Sequence, residues 1–162
     1  MLVSNTSTLV LLAKIGCLET FMGIAPKIEI PTQVKKEALF KEGSYDARLI
    51  GKLIQEKKID VVNAESRKLA PVLAEFRLDL GEAAAYAIFD PKKHDALLTD
   101  DGELIKLCRL RGIPFINALS VVIRLYERKK LTKQNAYEKL EELRKIGRYS
   151  ESLYQHFKNE VH

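Results

Sequence analysis

The sequence predicts an α/β protein in which a short, mainly parallel central sheet lies between two layers of helices. Short apolar runs alternate along the chain with longer segments whose apolar residues recur at helical spacing. Strands that alternate with helices form parallel sheets with right-handed crossover connections. Because no repeat, low-complexity tract or long linker interrupts the chain, we expect one domain over residues 1–162, with a core of about 1–131 and a helical tail of about 132–162.

The first half of the chain begins with two strands that each lead into a helix. An apolar strand at residues 2–4 runs into a helix through the polar residues 5–7. A second strand at residues 27–30 stops at Pro31, which begins a helix that continues through residue 40, because proline is tolerated in a first helical turn. Further predicted elements of this half are a helix over 46–56, a β-branched strand over 59–62 and a helix over 66–76.

The second half returns to the sheet twice and then becomes helical. We expect an alanine-rich helix over 79–89, a strand over 96–99, a helix over 102–111 and a last short strand within 112–116. Beyond Asn117 the pattern is helical throughout, over 118–129, 133–146 and 151–160. The apolar residues of 133–146 predict that this tail packs against one side of the domain.

The composition is that of a soluble globular chain, with 46% hydrophobic and 30% charged residues. No apolar run is long enough to cross a bilayer, and the N-terminus lacks the basic leading segment of a signal peptide. Cys17 and Cys108 have no partner at metal or redox spacing, so we expect buried, reduced thiols and a cytoplasmic location. We expect His94, His156 and His162 at the surface, since none is paired at metal spacing.

The net charge of +5 is unevenly distributed. Residues 1–103 carry 14 Lys and Arg against 16 Asp and Glu, whereas residues 104–162 carry 13 against 6. A basic C-terminal part beside a more acidic first part favours a polyanionic partner such as RNA. A solvated, lysine-rich helical surface is the alternative interpretation.

Polar and acidic residues recur where the predicted strands end, which is where open parallel sheets bind ligands. Asn5 follows the first strand, Glu37 lies on the helix after the second, and Glu82 begins the alanine-rich helix. Asp100 and Asp101 follow the strand after that helix. Oxygen-only pockets of this kind select hard cations such as Mg²⁺ or Mn²⁺, which polarise a phosphate and activate water.

The same residues have structural alternatives. Asp79 with Glu82, and Asp100 with Glu103, each have the spacing of a helix capping box. Asn5 is also a good residue to begin the first helix, and an acid on a helix is usually solvated. Capping does not, however, predict that these residues share one location in the fold.

Four segments of the chain resemble, in order, the segments that define PIN-domain nucleases. They are VSNTSTLVLLAKI, IPTQVKKEAL, LDLGEAAAYAIF and DALLTDDGELIKLCRLRGIPFINALSVV. The similarity extends through about residue 131, and the helical tail is similar to that of the VapC-like, toxin-related branch of the family.

This resemblance implies a three-layer α/β/α fold and a metal-dependent ribonuclease that uses Mg²⁺ or Mn²⁺. It implies catalytic roles for Glu37, Glu82 and Asp100, with Asp101 beside them as a helper. It implies metal ligands at Asn5, Glu37, Glu82 and Asp100.

The resemblance also implies partners. The substrate would be RNA, with Ser7, Lys106, Arg109 and Arg111 as nucleic-acid-binding residues and the basic residues 128–130 as further contacts. Many relatives are toxins held in check by a small antitoxin protein that covers the active groove, and a homodimer is a further expectation from the family.

Asn5 departs from the family pattern, in which this position is an aspartate. An amide oxygen can ligate Mg²⁺ but contributes no negative charge, which lowers the affinity for the ion. Three explanations stay open: a natural homologue that binds RNA or a partner protein without cutting, weak activity in which Asp101 or a second metal compensates, or an inactivating change introduced to tame a toxic protein. A catalytically inactive PIN-like RNA- or protein-binding module is therefore the alternative function.

Other α/β site classes are excluded by the same strand ends. A phospho-accepting receiver domain or an Asp-x-Asp phosphatase needs acids after the first strand, where Ser4 and Asn5 stand. A receiver also needs a lysine where Asn117 stands. No glycine-rich dinucleotide or nucleoside-triphosphate loop is present.

Overall fold

The computed structural model describes all of residues 1–162 and contains one sheet of five strands. The strands are β1 (Leu2–Ser4), β2 (Ile28–Pro31), β3 (Ile59–Val62), β4 (Ala96–Leu98) and β5 (Phe115–Ile116). Every neighbouring pair is parallel, and the order across the sheet is β3-β2-β1-β4-β5.

Ten helices surround this sheet. They are α1 (Thr6–Lys14), α2 (Leu18–Met22), α3 (Thr32–Leu39), α4 (Tyr45–Gln55), α5 (Ser66–Glu75), α6 (Leu80–Ile88), α7 (Gly102–Arg111), α8 (Ala118–Glu127), α9 (Lys133–Ile146) and α10 (Glu151–Lys158). None of them combines the length and the apolar character that crossing a membrane requires.

The predicted fold class is confirmed, because the sheet is parallel and helices cover both of its faces. The predicted bounds of β1, β3, α7 and α9 coincide with those of the structure, and the other predicted ends lie within two residues of the observed ones. The sequence pattern does not predict α2, because five residues are too few to show a helical period.

Side chains that alternate along the central strands build two separate cores. Leu2 and Leu98 belong to a cluster of 29 buried residues on the face covered by α1, α4, α8 and the tail. Val3 and Leu97 point to the other face, into a cluster of 11 buried residues with α5, α6 and α7. A parallel sheet buried on both faces needs strands that are apolar at every position, as β1 and β4 nearly are.

The prediction that both cysteines are buried and unpaired is confirmed, and the histidine prediction is wrong at one position. Cys17 and Cys108 are buried and unpaired. His94 is buried too, although His156 and His162 are exposed. The His94 ring accepts the backbone N–H of Asp90 at 2.9 Å and lies 3.4 Å from the carboxylate of the buried Glu29, so hydrogen bonds keep this polar ring inside the fold.

The direction in which strands are added across the sheet reverses once, between β1 and β4. From β1 the chain moves outward through β2 and β3, then returns to the other side of β1 to add β4 and β5. Such a switch point leaves a crevice at the carboxyl ends of the two strands. Ser4 pairs with Leu98 in the register, so the residues that follow them, Asn5 and Thr99, are neighbours at this edge.

Candidate active site

A cleft of about 1060 Å³ lies at this switch point. It is lined by the ends of β1 and β4, by helices α1, α3, α6 and α7, and by the loop between α9 and α10. All five acidic or amide residues predicted from the sequence line it: Asn5, Glu37, Glu82, Asp100 and Asp101. The structure therefore brings these distant parts of the chain into one cavity.

Asn5 is buried and fixed by hydrogen bonds at both ends of its amide. Its Nδ2 donates to the Thr99 hydroxyl at 2.9 Å, and its Oδ1 accepts the Ser7 hydroxyl at 2.9 Å. The Ser7 hydroxyl in turn accepts the backbone N–H of Asp100 at 3.1 Å. Asn5 begins α1 but makes no side-chain cap bond, so its amide joins the end of β1 to the end of β4 instead.

Glu37 reaches the cleft from α3 and is held by two donors. The Thr6 hydroxyl donates to Oε2 at 2.6 Å, and the backbone N–H of Gly81 donates to Oε1 at 3.1 Å. Gly81 lies in the first turn of α6, where unpaired backbone N–H groups favour an anion. The carboxylate lies so close to the Gly81 backbone that a Cβ at this position would overlap it.

Glu82 and Asp79 form the capping box that the sequence predicts. Asp79 accepts the Glu82 N–H at 2.8 Å, and Glu82 Oε2 accepts the Asp79 N–H at 2.9 Å. Partial burial, opposed by the Asp79 N–H and strengthened by the nearby carboxylates of Asp101 and Asp79, raises the pKa of Glu82 to about 8. The cap uses only one carboxylate oxygen of Glu82, and Oε1 has no hydrogen-bond donor.

The second predicted capping box is wrong by one residue. Asp101, not Asp100, begins α7, and its Oδ1 accepts the Leu104 N–H at 2.9 Å. Its Oδ2 has no donor and belongs to a carboxylate that lies beside Glu82. Glu82 and Asp101 are thus neighbouring acids in the cleft, and each keeps one oxygen that accepts no backbone N–H.

Asp100 has a different environment from Asp101. Both of its carboxylate oxygens accept the N–H of Ala118, the first residue of α8, at 2.8 and 2.9 Å. Oδ1 also accepts the Tyr149 hydroxyl at 3.0 Å. Burial raises the pKa of Asp100 to about 6, while the donors from Ala118 and Tyr149 limit that rise. Asp100 therefore anchors α8 and the tail to the end of β4.

Five carboxylates line the cleft: those of Glu37, Asp79, Glu82, Asp100 and Asp101. None of them forms an ion pair, although 15 such pairs occur elsewhere in the chain. The donors are oxygens of the type that Mg²⁺ and Mn²⁺ prefer. As the side chains stand, no three His, Cys, Asp or Glu residues converge closely enough to hold a metal ion. The chemistry of the donor set fits a hard cation, and Glu82 with Asp101 is the pair best placed to hold it.

The predicted nucleic-acid-binding residues separate into two groups. Ser7, Lys106 and Arg109 line the cleft, with Ser7 engaged in the Asn5 network. Arg111 does not line it, since its guanidinium pairs with Glu75 at 3.7 Å and lies over the Phe76 ring.

Several cleft residues are not predicted from the sequence. Asp79 lies within the third of the four segments that resemble the family, and its position directly before a helix was the available signal that it belongs to the site. Arg148 and Tyr149 enter the cleft from the tail, where a helical pattern on both sides indicates only a connecting loop. No local signal predicts a contact between residues 49 positions apart.

Comparison with known proteins identifies one family. The model of the DUF3368 family, which is described as a PIN domain, matches residues 1–162 of the chain. A search among curated proteins finds no match.

Proposed function

The chain belongs to the DUF3368 family of PIN domains, and on this premise we propose that it is an endoribonuclease that depends on Mg²⁺ or Mn²⁺. The observation that supports the proposal best is the cleft itself, where five carboxylates gather at the switch point of the sheet without a basic partner. Like charges placed together in this way are costly unless a cation joins them.

The ion, when bound, would polarise a phosphate oxygen and activate a water molecule for attack on the phosphodiester. Glu82 and Asp101 would hold it through their unengaged oxygens, with the neutral Oδ1 of Asn5 nearby. Glu37 would complete the acidic set at the first turn of α6. Asp100 would keep the end of β4 in register with α8, so that the ligands beside it stay in place.

The substrate assignment relies on the basic residues of the same cleft. Lys106 and Arg109 lie on one face of α7, three residues apart, and both line the cleft that contains the acidic residues. Cations at the rim of a cleft neutralise backbone phosphates and release counterions, which makes binding strongly dependent on salt. We therefore propose single-stranded RNA as the substrate.

A direct test compares cleavage of a labelled single-stranded RNA by the native chain and by Asn5→Asp, each with EDTA and with Mn²⁺. We expect Mn²⁺-dependent cleavage that Asn5→Asp increases and Glu82→Gln lowers by about a hundredfold, since even outer partners of a metal site cost about 10–100-fold. Glu19→Gln is the control, because Glu19 is exposed on α2 and forms no ion pair. Absence of cleavage by both the native chain and Asn5→Asp would contradict the proposal.

The second candidate function is a catalytically inactive module that binds RNA or a protein. The observation that favours it is Asn5, whose buried amide is satisfied by Thr99 and Ser7 without any ion. On this hypothesis the native chain binds RNA without cutting it, and Asn5→Asp creates metal affinity that the native chain lacks.

A finer proposal concerns the biological setting. We propose that the chain acts in the cytoplasm as the toxin of a VapC-like toxin–antitoxin pair, with a small antitoxin whose segment occupies the cleft, and that it forms a homodimer. A short reading frame beside its gene whose product co-purifies with the chain and blocks RNA binding would support this setting. A mass of one chain in solution by light scattering would contradict the homodimer.

A further inference from the structure

The tail of the chain forms part of the cleft. The loop between α9 and α10, residues 147–150, lines the cavity together with Ile146 and Leu153 at the adjoining helix ends. Leu140, Leu143 and Tyr154 of the two helices belong to the same buried cluster as Leu2 and Leu98 of the sheet, so a packed scaffold supports the loop.

Tyr149 fixes the loop between α9 and α10 to Asp100, one of the acidic residues that line the cleft. Its hydroxyl donates to Asp100 Oδ1 at 3.0 Å, and its ring is packed against the larger core. Gly147 makes this arrangement possible, because a Cβ at that position would overlap the Tyr149 ring and lie 2.9 Å from the Leu143 carbonyl oxygen. Ser150 then caps α10 by accepting the Leu153 N–H at 3.1 Å.

Arg148 lies between these fixed points, and its charge is uncompensated. Its side chain is exposed and makes no ion pair and no hydrogen bond within the chain. By contrast, Arg144 one turn earlier pairs with Glu141 and Glu151. Arg109, on the α7 side of the cleft, is likewise without an acidic partner and lies over the Phe115 ring at 5.5 Å.

We infer that Arg148 is a binding residue for the phosphate backbone of RNA, contributed by the tail to the cleft that Lys106 and Arg109 border from α7, and that Tyr149 is the positioning residue that holds it there. Guanidinium groups bind phosphate oxygens through paired N–H donors, and the fixed backbone on both sides of Arg148 keeps this residue at the cleft before RNA binds. This inference rests on the proposed RNA-directed function and extends it to the tail.

The test measures binding without cleavage. Fluorescence anisotropy of a labelled single-stranded RNA, recorded in EDTA over a series of salt concentrations, reports affinity and the number of phosphate contacts. We expect Arg148→Gln to bind about tenfold more weakly and to lower the slope of log affinity against log salt by about 0.7, the value for one phosphate on a single strand. Arg48→Gln is the matched control, because Arg48 is exposed on α4, forms no ion pair and does not line the cleft.

The role of Tyr149 is tested by a double-mutant cycle. Tyr149→Phe keeps the ring and removes the hydrogen bond to Asp100, and we expect it to weaken RNA binding several-fold. On the Arg148→Gln background the same change should have no further effect, since the two residues act on one contact. Tyr137→Phe is the control, because the Tyr137 hydroxyl donates to the Val161 carbonyl at 2.9 Å, outside the cleft.

The outcomes separate this inference from the proposed function. If the native chain binds RNA and Arg148→Gln binds as tightly, with an unchanged salt slope, the inference is wrong and the nuclease proposal stands. RNA binding without cleavage in Mn²⁺ by either the native chain or Asn5→Asp would overturn the nuclease proposal and leave the inference about Arg148 unaffected. Additive effects of Tyr149→Phe and Arg148→Gln would overturn the positioning role, and a native chain that binds no RNA would overturn both proposals.

Discussion

The carboxylate of Glu37 occupies the space in which a side chain at Gly81 would begin. The two residues are 44 positions apart, and the Gly81 N–H donates to Glu37 at 3.1 Å. Glycine is therefore required here by a close approach between α3 and α6.

Gly81→Ala tests this relationship. The new methyl group should displace the Glu37 carboxylate from α6, and because a flexible side-chain end moves more easily than backbone, the free energy of unfolding should fall by only about 1 kcal/mol. We expect the free energy of Mn²⁺ binding, measured by calorimetric titration, to weaken by more than the free energy of unfolding does. Gly51→Ala is the control, since its added Cβ meets only Leu39 at 3.6 Å; equal Mn²⁺ affinity in both variants would separate Glu37 from the metal site.

The raised pKa of Glu82 predicts that the metal-free chain loses stability as the pH rises. The folded state keeps a proton up to about pH 8, whereas the unfolded chain releases it near its ordinary value of 4.5. Between these values the unfolded state binds fewer protons, so the free energy of unfolding falls with pH. Thermal unfolding in EDTA from pH 4.5 to 8.5 should show this loss of stability. Glu82→Gln should make the loss smaller, and addition of Mn²⁺ should restore the stability of the native chain at pH 8. The same pH dependence in Glu82→Gln would contradict the prediction.

Asp100 and Asp101 should differ when each is replaced. Asp100→Ala leaves the Ala118 N–H without its acceptor and removes the Tyr149 contact, so we expect a loss of about 2–3 kcal/mol in the free energy of unfolding. Asp101→Asn keeps a good N-cap for α7 and should retain nearly all stability while it loses affinity for Mn²⁺. Urea unfolding and calorimetric titration measure the two quantities, and a reversed pattern would exchange the roles of these residues.

Asn5→Asp should make the stability of the fold depend on binding of a divalent metal ion. The change adds a buried carboxylate to a cleft that already holds five acids without a basic partner, so the chain in EDTA should unfold at a lower temperature. A divalent ion should more than restore it, with Mn²⁺ affinity at least about tenfold above that of the native chain. Asn159→Asp, at the exposed end of α10, should change neither quantity. Destabilisation that Mn²⁺ does not relieve would show that Asn5 lies outside the metal site.

The sequence predicts the strands and the acidic residues well because both depend on local patterns. β-branched runs such as residues 59–62 give strands, and the spacing of Asp79 and Glu82 gives a helix start. The site details that it misses depend on contacts between distant segments. Asp100 and Asp101 are adjacent acids that either could cap α7, and only the N–H of Ala118, 18 positions away, determines which one does. His94 is buried for a similar reason, because its partner Glu29 belongs to β2.

The burial of both cysteines has a practical consequence for studying the tail loop. Burial raises the pKa of Cys17 and of Cys108 to about 11, so at neutral pH almost none of either thiol is in the reactive thiolate form. A cysteine introduced at an exposed position, for example Ser152→Cys on α10, would then be the one thiol that a maleimide dye or spin label modifies quickly. Distances from such a probe could follow the loop during RNA binding without removal of either native cysteine.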